Sequence, residues 1–380
     1  MASRNQPAHI LHLITDLDVG GTEKSLLATL PHIQRPDMSH SVCCIMGKGV
    51  IGQQLTERGI PVVYLDYQRW YDVIKVTWRF YNLLRRMKPH ILVTYLIHAD
   101  LFGRIIGTIS GVRTIISYKR GSLLQWEFLQ AAEWLTKHLV SHYITVSREL
   151  KDVLITKLYI SPEKITVVRN GIDTTTYEQT LETRKQVRTA LRTLPDELVI
   201  GMVAKLRRGK GHRELMLALR RVSDAFTAPP LKLFIVGDGD EEEALRAYAD
   251  ELGIADQTVF TGYRSDTPAM LAAVDIFVLP SHYEGMSVAL LEAMAAQKTI
   301  ITSDITANRE VVDASCALLV PPGDAAALAE AITRLIADEP LRAELARNAR
   351  EKCRKNFSIG ITSAELLKIF QTYADPEAAG

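Results

Sequence analysis

Short runs of branched apolar residues alternate with helical patterns over the first 170 or so positions, stop, and begin again after residue 197. Runs that are apolar throughout, rather than at every second residue, are strands covered on both faces, and the helices between them supply the cover. The pattern predicts an α/β protein of two Rossmann-like domains, each a doubly wound parallel sheet. In the first half the expected strands are Ile10–Thr15, Ser41–Met46, Pro61–Tyr64, Ile91–Tyr95, Thr114–Ser117, His142–Val146 and Ile165–Val168. Helical patterns lie near Glu23–Leu30, Gly52–Gly59, Asp72–Met87, Leu101–Ser110, Leu123–His138 and Arg148–Leu158. In the second half the strands are Leu198–Ala204, Leu231–Val236, Thr258–Thr261, Ile276–Leu279, Thr299–Thr302 and Ala317–Leu319, with helices from His212 and over Ser287–Ala296. Residues 174–197 are charged and threonine-rich and lack such strands. The expected layout is a first domain over 1–175, a linker over 176–197, a second domain over 198–360, and a C-terminal helix and tail over 361–380 that can pack back on the first domain. Sites in such folds open at the carboxyl ends of the strands.

Charge excludes several classes of function. The whole chain has 45 Lys and Arg against 44 Asp and Glu, too balanced for a generic polyanion binder. No recognised nucleic-acid module or base-stacking platform accompanies the basic residues, so no nucleic-acid partner is expected. The balance hides a split: residues 1–173 hold 21 basic and 14 acidic side chains, leaving 24 and 30 for the rest, a net +7 against −6. Cys43, Cys44, Cys316 and Cys353 contain no CxxC pair and no metal-cluster spacing. They read as reduced core thiols, which points to a reducing compartment. The first apolar run is broken by His12 and Asp16, unlike a signal peptide, and no run reaches the roughly 18 residues of a membrane span. A cytoplasmic protein is expected.

Three loops carry candidate chemistry. Asp16–Glu23 places Gly20 and Gly21 between a strand and a helix, where backbone amides can approach a phosphate; a plain tight turn is the alternative. It lacks a dinucleotide fingerprint and a Walker A spacing. After the first strand of the second half, Lys205, Arg207, Arg208 and Lys210 put four positive charges at the mouth of the sheet. They are either a solvated run or a clamp, with Lys205 and Lys210 the natural pair, for a departing diphosphate. The third segment, Asp275–Ala295, is a buried strand, a turn carrying Glu284 and Gly285, and a helix in which Glu292 interrupts apolar residues. Two helical positions eight apart are about 12 Å from one another. That suits two hydroxyl acceptors along an elongated ligand better than a paired-carboxylate hydrolase.

With DVGGTEKSLL, VVRNGID, VAKLRRGKG, FIVGDG, the long segment TGYRSDTPAMLAAVDIFVLPSHYEGMSVALLEAMA and LLVPPGD in this order, the chain resembles the retaining GT-B glycosyltransferases of the family 4 type across residues 9–360. The resemblance implies two Rossmann-like domains facing each other across a cleft, a nucleotide-sugar substrate, no metal and no resident cofactor. Carried over by position, Gly21 resembles the backbone that approaches the donor phosphates, and Lys210 the residue that holds the pyrophosphate. Lys205 stands where the family usually has Arg. Glu284 resembles the acid that orients the transferred sugar, and Glu292 the acceptor of ribose hydroxyls. Gly285, Met286, Ser287 and Val288 resemble the turn and helix start that meet sugar and phosphate, while Gly262, Tyr263 and Arg264 lie beside the base. Two positions depart from the pattern. Ser117-Tyr118-Lys119-Arg120-Gly121 lacks the histidine many members carry, for which His98 or the Lys119–Arg120 loop is the replacement, unless His98 is structural. Gln297 stands where the family commonly has Gly.

The implied reaction is transfer from a nucleotide-sugar, UDP by family frequency, to a hydroxyl of a glycan or lipid-linked acceptor. A nucleotide-sugar epimerase and a silent nucleotide-sugar-binding subunit are the alternatives. Residues 69–90 carry six basic residues, one acid and the aromatics Trp70, Tyr71, Trp78, Phe80 and Tyr81. As a helix, Val73, Val76, Phe80, Leu84 and Met87 form its core stripe. The segment reads either as a covering helix or as a peripheral contact with anionic lipid on the inner membrane face.

Overall fold

The computed structural model describes residues 7–18, 20–120, 127–225 and 230–374. Val19 of the Asp16–Glu23 loop, Gly121, the first residues of the helical pattern expected over Leu123–His138 and the tail from residue 375 lie outside the described residues. The chain forms two compact units. One runs up to Gly171 and resumes at Ile359; the other is Ile172–Ser358.

The first unit contains strands β1 (Ala8–Ile14), β2 (Met38–Cys44), β3 (Val62–Tyr64), β4 (Ile91–Tyr95), β5 (Thr114–Lys119), β6 (His142–Thr145) and β7 (Ile165–Val167). Its helices are α1 (Gly21–Ile33), α2 (Val50–Glu57), α3 (Val73–Met87), α4 (Ile97–Ile109), α5 (Glu127–Thr136) and α6 (Arg148–Leu158). All seven strands are parallel in the order β3-β2-β1-β4-β5-β6-β7. Parallel strands need crossover helices, and these bury both faces: Ile10, Leu11, Leu13, Leu92, Val93 and Ile116 are all sealed from water.

The second unit continues with α7 (Leu181–Ala190), β8 (Leu198–Val203), α8 (His212–Ala225), β9 (Leu231–Val236), α9 (Glu242–Glu251), β10 (Thr258–Gly262), α10 (Thr267–Ala273), β11 (Ile276–Leu279), α11 (Val288–Ala295), β12 (Thr299–Ser303), α12 (Thr306–Arg309), β13 (Leu318–Val320), α13 (Ala325–Ala337) and α14 (Glu339–Asn356). Its sheet order is β10-β9-β8-β11-β12-β13, again all parallel. The segment 176–197 is not a bare linker. It holds α7, packed on α10, and Arg184 and Arg188 of α7 both pair with Asp275 just before β11. The 10-residue helix lacks any buried side chain, so neither apolar periodicity nor branched residues marked it.

Helix α15 (Ile359–Ala374) returns to the first unit and packs on α1, with Phe370 against the buried pair His12 and His40 and the Tyr373 hydroxyl 2.9 Å from His142 Nδ1. The backbone carrying it back is tied to its outgoing strand: Ile172 N donates to Phe357 O at 2.8 Å, and Gly171 lies so close to Thr362 that an added Cβ would meet Thr362 Oγ1 at 2.4 Å. Helix α3 turns differently from the expected stripe. Val76, Phe80, Leu83 and Leu84 face the core, whereas Val73, the first residue of the helix, is 52% exposed. Among the described residues no helix is long and apolar enough to cross a membrane.

Candidate active site

In both sheets the order of successive strands reverses at one point, between β1 and β4 in the first unit and between β8 and β11 in the second. Successive crossovers leave on opposite faces there, so the loops at the carboxyl ends part and leave a crevice. In the second unit those loops are 204–211 and 280–287, which contain Lys205, Lys210 and Glu284.

Backbone geometry draws the two loops together. Gly209 and Gly211 both have φ of +82°, and a Cβ on Gly211 would lie 2.3 Å from the Pro280 carbonyl oxygen. Only glycine takes that conformation at that distance without strain. His282 N donates to Gly209 O at 2.9 Å across the same seam. Lys210 Nζ then reaches Glu284 Oε1 at 2.7 Å, with both side chains only 10–12% exposed. The pair is 74 residues apart in sequence, and the loops create it. Lys205 does not join Lys210; it bonds Asp238 at 2.8 Å with both side chains about half exposed, so the two lysines have separate carboxylate partners. Beside Lys210, burial followed by the lysine charge lowers the His212 imidazole to about 4, and its Nε2 has no hydrogen-bond partner.

Ser287 caps α11, its Oγ accepting from Leu290 N, and Gly285, Met286 and Val288 bracket that helix start. Glu292 is buried about one turn along α11, where Tyr177 donates its hydroxyl at 2.9 Å. Burial and the neighbouring carboxylate push the Tyr177 phenol far above its usual range, so it stays a donor. Gly262 takes φ +66° at the end of β10 and holds Gly237 N through its carbonyl, while Arg264 makes a two-pronged pair with Asp266 at 2.6–2.7 Å. Tyr263 is partly exposed beside them. The sequence reading missed Asp238, Tyr177 and His212. Asp238 lies in the quoted FIVGDG, and His212 follows Lys210 directly, so both were visible as residues; Tyr177 lay in the segment read as a boundary.

In the first unit, Gly20 caps α1 with an extended backbone, and Gly21 opens the helix. A Cβ on Gly20 would sit 2.2 Å from Glu23 Oε2. Burial, then Asp16, raises the Glu23 carboxyl to about 7, a residue the sequence reading did not single out. His98 lies in the first turn of α4, exposed to solvent, rather than at the end of β4. Leu96 before it is held at φ +61°, a strained setting for a branched side chain. Lys119 and Arg120 are both committed elsewhere. Lys119 is buried between Asp100 and Glu133, while Arg120 bonds Asn170 and stacks over Tyr118 at 4.8 Å. Arg104 completes that buried cluster, 2.7 Å from Asp100 and 2.8 Å from Glu133. Burial alone would raise the Asp100 carboxyl, but Arg104 and Lys119 hold it well below the usual carboxylate range. No group of three His, Cys, Asp or Glu side chains arranged for a metal occurs among the described residues.

Residues 19–176 match the family described as Glycosyltransferase Family 4, and residues 183–352 match Glycosyl transferases group 1. The UDP-Gal:alpha-D-GlcNAc-diphosphoundecaprenol alpha-1,3-galactosyltransferase of Escherichia coli is 28% identical over 73% of this chain and 74% of its own length. The capsular polysaccharide biosynthesis glycosyltransferase CapM of Staphylococcus aureus is 28% identical over 77% and 79%. In fold, Anabaena HepE in complex with UDP-glucose matches 96% of this chain and 99% of its own, with a TM-score of 0.85 at 21% identity. The two family matches divide where the two sheets do, and the chain is a GT-B-fold glycosyltransferase belonging to the group 1, family 4 glycosyltransferases.

Proposed function

We propose that the protein moves a sugar from a UDP-sugar to a hydroxyl of a glycan or lipid-linked acceptor, with retention at the anomeric carbon. The observation that carries this reading is the Lys210–Glu284 pair at the switch point of the second sheet, a cation and an acid held together at the place where a diphosphate and its sugar meet. Lys210 takes the diphosphate and Glu284 turns to the sugar hydroxyls, so the donor replaces one ion pair with two charged contacts. Lys205 leaves Asp238 to meet the second phosphate, and the two lysines offset the charge that grows as UDP departs. The leaving oxygen accepts the proton of the acceptor hydroxyl, which attacks from the same face. Glu292, steadied by Tyr177, accepts from the ribose; Gly262, Tyr263 and Arg264 border the base; the amides of Gly285, Met286, Ser287 and Val288 meet sugar and phosphate. In the first unit, Gly20 and Gly21 approach the donor phosphates, and His98 supplies the imidazole beside the sugar.

UDP is supported by the donor named for the Escherichia coli relative and by the UDP-glucose bound to HepE; a lipid-linked acceptor is supported by that relative's diphosphoundecaprenol substrate. Trp70 just before α3, with Ile74 and Trp78 on it, all 67–81% exposed, support peripheral contact with a membrane on the cytoplasmic side, and four free, buried cysteines agree with a reducing compartment. The donor is a substrate, and neither cofactor nor metal is required in this reading.

Incubation with a panel of nucleotide-sugars and membrane extract tests it. Release of UDP with a matching mass gain on a lipid or glycan, unchanged by chelator, is the expected result; epimerised donor, or tight binding without turnover, would replace it with one of the rival readings. Glu292→Ala should weaken UDP binding by about 1.5–3 kcal/mol. Tyr177→Phe should produce a smaller loss, and unchanged calorimetric affinity in both removes Glu292 from the nucleotide site.

A further inference from the structure

The other end of the first sheet, at the amino ends of β4 and β5, holds a cavity of about 320 Å³ that the transfer chemistry does not use. The end of α3, the turn from α4 into β5 and the last residues of α15 enclose it. Four of its lining residues are Arg85, Lys88, His90 and Arg113, and none is Asp or Glu. Arg85, Lys88 and Arg113 form no ion pair with any described residue, unlike Lys210, Lys205 and Arg264 in the second unit. Basic side chains at helix ends often do no more than offset the carbonyl dipole, and Arg85 and Lys88 stand at such an end. That explanation leaves Ser110 unaccounted for. Its side chain is 6% exposed, it lines the cavity, and its Oγ has no hydrogen-bond partner. A hydroxyl buried without a partner is uncommon, and a ligand oxygen in the cavity satisfies it. Lys88 itself stands at the left-handed cap position after α3, at φ +45°, its N–H donating to Leu84 O.

We propose that this cavity is a binding site for a phosphate group. A guanidinium at Arg113, another at Arg85, the ammonium of Lys88 and the Ser110 hydroxyl offer donors on several sides of a tetrahedral anion, and the volume suits a phosphate with a small ester substituent. The phosphate can come from a soluble ester or from a phospholipid headgroup. The geometry favours the lipid: Ile74, Trp78 and Arg85, spaced four and seven apart, follow one stripe of α3, which runs from exposed aromatics to the cavity. Only this choice of source rests on the peripheral-membrane reading above.

The test uses the full chain, with inorganic phosphate and glycerol 3-phosphate followed by calorimetry, and vesicles of phosphatidylcholine with and without phosphatidylglycerol followed by sedimentation. Lys88→Gln with Arg113→Gln should lower affinity for both soluble phosphates by about tenfold or more, and Ser110→Ala, which keeps the charge, by about threefold or more. Ile74→Ser with Trp78→Ser should leave both soluble affinities unchanged while abolishing vesicle binding. Lys75→Gln with Arg86→Gln removes equal charge outside the cavity and is the control. Greater loss of phosphatidylglycerol binding in the Lys88/Arg113 variant than in this control supports a headgroup site. Loss of soluble phosphate affinity with equal vesicle binding in the two supports a site for a soluble ester. Wild-type phosphate affinity in both the Lys88/Arg113 and the Ser110 variants, with the fold intact by circular dichroism, overturns the site, as does equal loss of phosphate affinity in the control.

Discussion

The two units use paired charges in opposite ways. In the first, Asp100, Arg104, Lys119 and Glu133 close on one another at 5% exposure or less, tying α4, β5 and α5 together with no side open to solvent. In the second, Lys210–Glu284 and Lys205–Asp238 sit on loops at the mouth of the sheet, where water or a ligand can enter. Two cations and two carboxylates occur in each set. The difference lies in what can replace a lost partner: nothing in the interior cluster, and, in the function proposed above, a substrate's phosphate or hydroxyl at the sheet mouth. An ion pair therefore says little about role until its surroundings are known.

The sharpest way to break this contrast is to remove one carboxylate from the interior cluster. Glu133→Gln leaves Arg104 and Lys119 to share Asp100, and breaking such a buried set should cost about 3–5 kcal/mol of the first unit's stability. UDP affinity should change little, since in the proposed reading Lys205, Lys210, Glu292 and the residues beside the base lie in the second unit and Glu133 is not among the nucleotide contacts of the first; hydrogen exchange and calorimetry on one sample read both. A loss of nucleotide affinity without loss of protection would reverse the assignment.

Acid should separate the units next. Burial lowers His40 and His142 to about 4, and burial with the His40 neighbour lowers His12 well below its ordinary 6.5. Between pH 6.5 and about 4 the unfolded chain takes up these protons and the folded chain does not, so stability present above 6.5 is lost as pH falls. Each such histidine contributes about 1.4 kcal/mol per pH unit. His9 is lowered too, while Glu23, raised to about 7, and Glu365, also raised by burial, act in the opposite sense, so lowered imidazoles outnumber raised carboxyls four to two. The second unit has only His212 shifted in this way. Hydrogen exchange at pH 5 against pH 7 should show α1 and α15 losing protection before α8 and α13. Equal loss in both units would mean that the buried imidazoles do not control acid stability.

Lys210→Ala should cut turnover about a hundredfold, equivalent to about 2.7 kcal/mol, with the fold intact. Lys205→Ala should cost less, because Lys205 is half exposed, and Lys205→Arg should be tolerated. Full activity in both alanine variants would make these loops ordinary solvated charge. The smallest effect concerns a turn. Gln297 is held at φ +55°, so the backbone keeps the left-handed turn that glycine would make without strain. Gln297→Gly should stabilise the second unit by about 1 kcal/mol and leave turnover alone, read as a shift in its denaturation midpoint.

The strands were legible because parallel sheets write themselves as short apolar runs, and every expected strand is present within a few residues. Helix α7 was not, since what fixes it is the long-range pairing of Arg184 and Arg188 with Asp275, which no local period records. The same limit governed the site. Lys210 and Glu284 stood out through their neighbours in sequence, yet the bond between them depends on Gly209 and Gly211 turning one loop beneath another. The Asp100–Arg104 half of the buried cluster is an i, i+4 pair on one helix face and could have been read. Its other half joins Lys119 of β5 to Glu133 of α5, a contact between two elements that no local spacing records.

The return of α15 gives the ribosome an unusual task. The unit begun first is completed last: the phenyl ring of Phe370 that covers His12 and His40 leaves the exit tunnel only after all of Ile172–Ser358 has been made. Domains form as their residues emerge, so during synthesis the second unit can finish while α1 still exposes the apolar groove that awaits its C-terminal partner. Premature termination between Ser358 and Phe370 would leave a finished second unit attached to an uncovered first one, a species for chaperones to hold or proteases to remove.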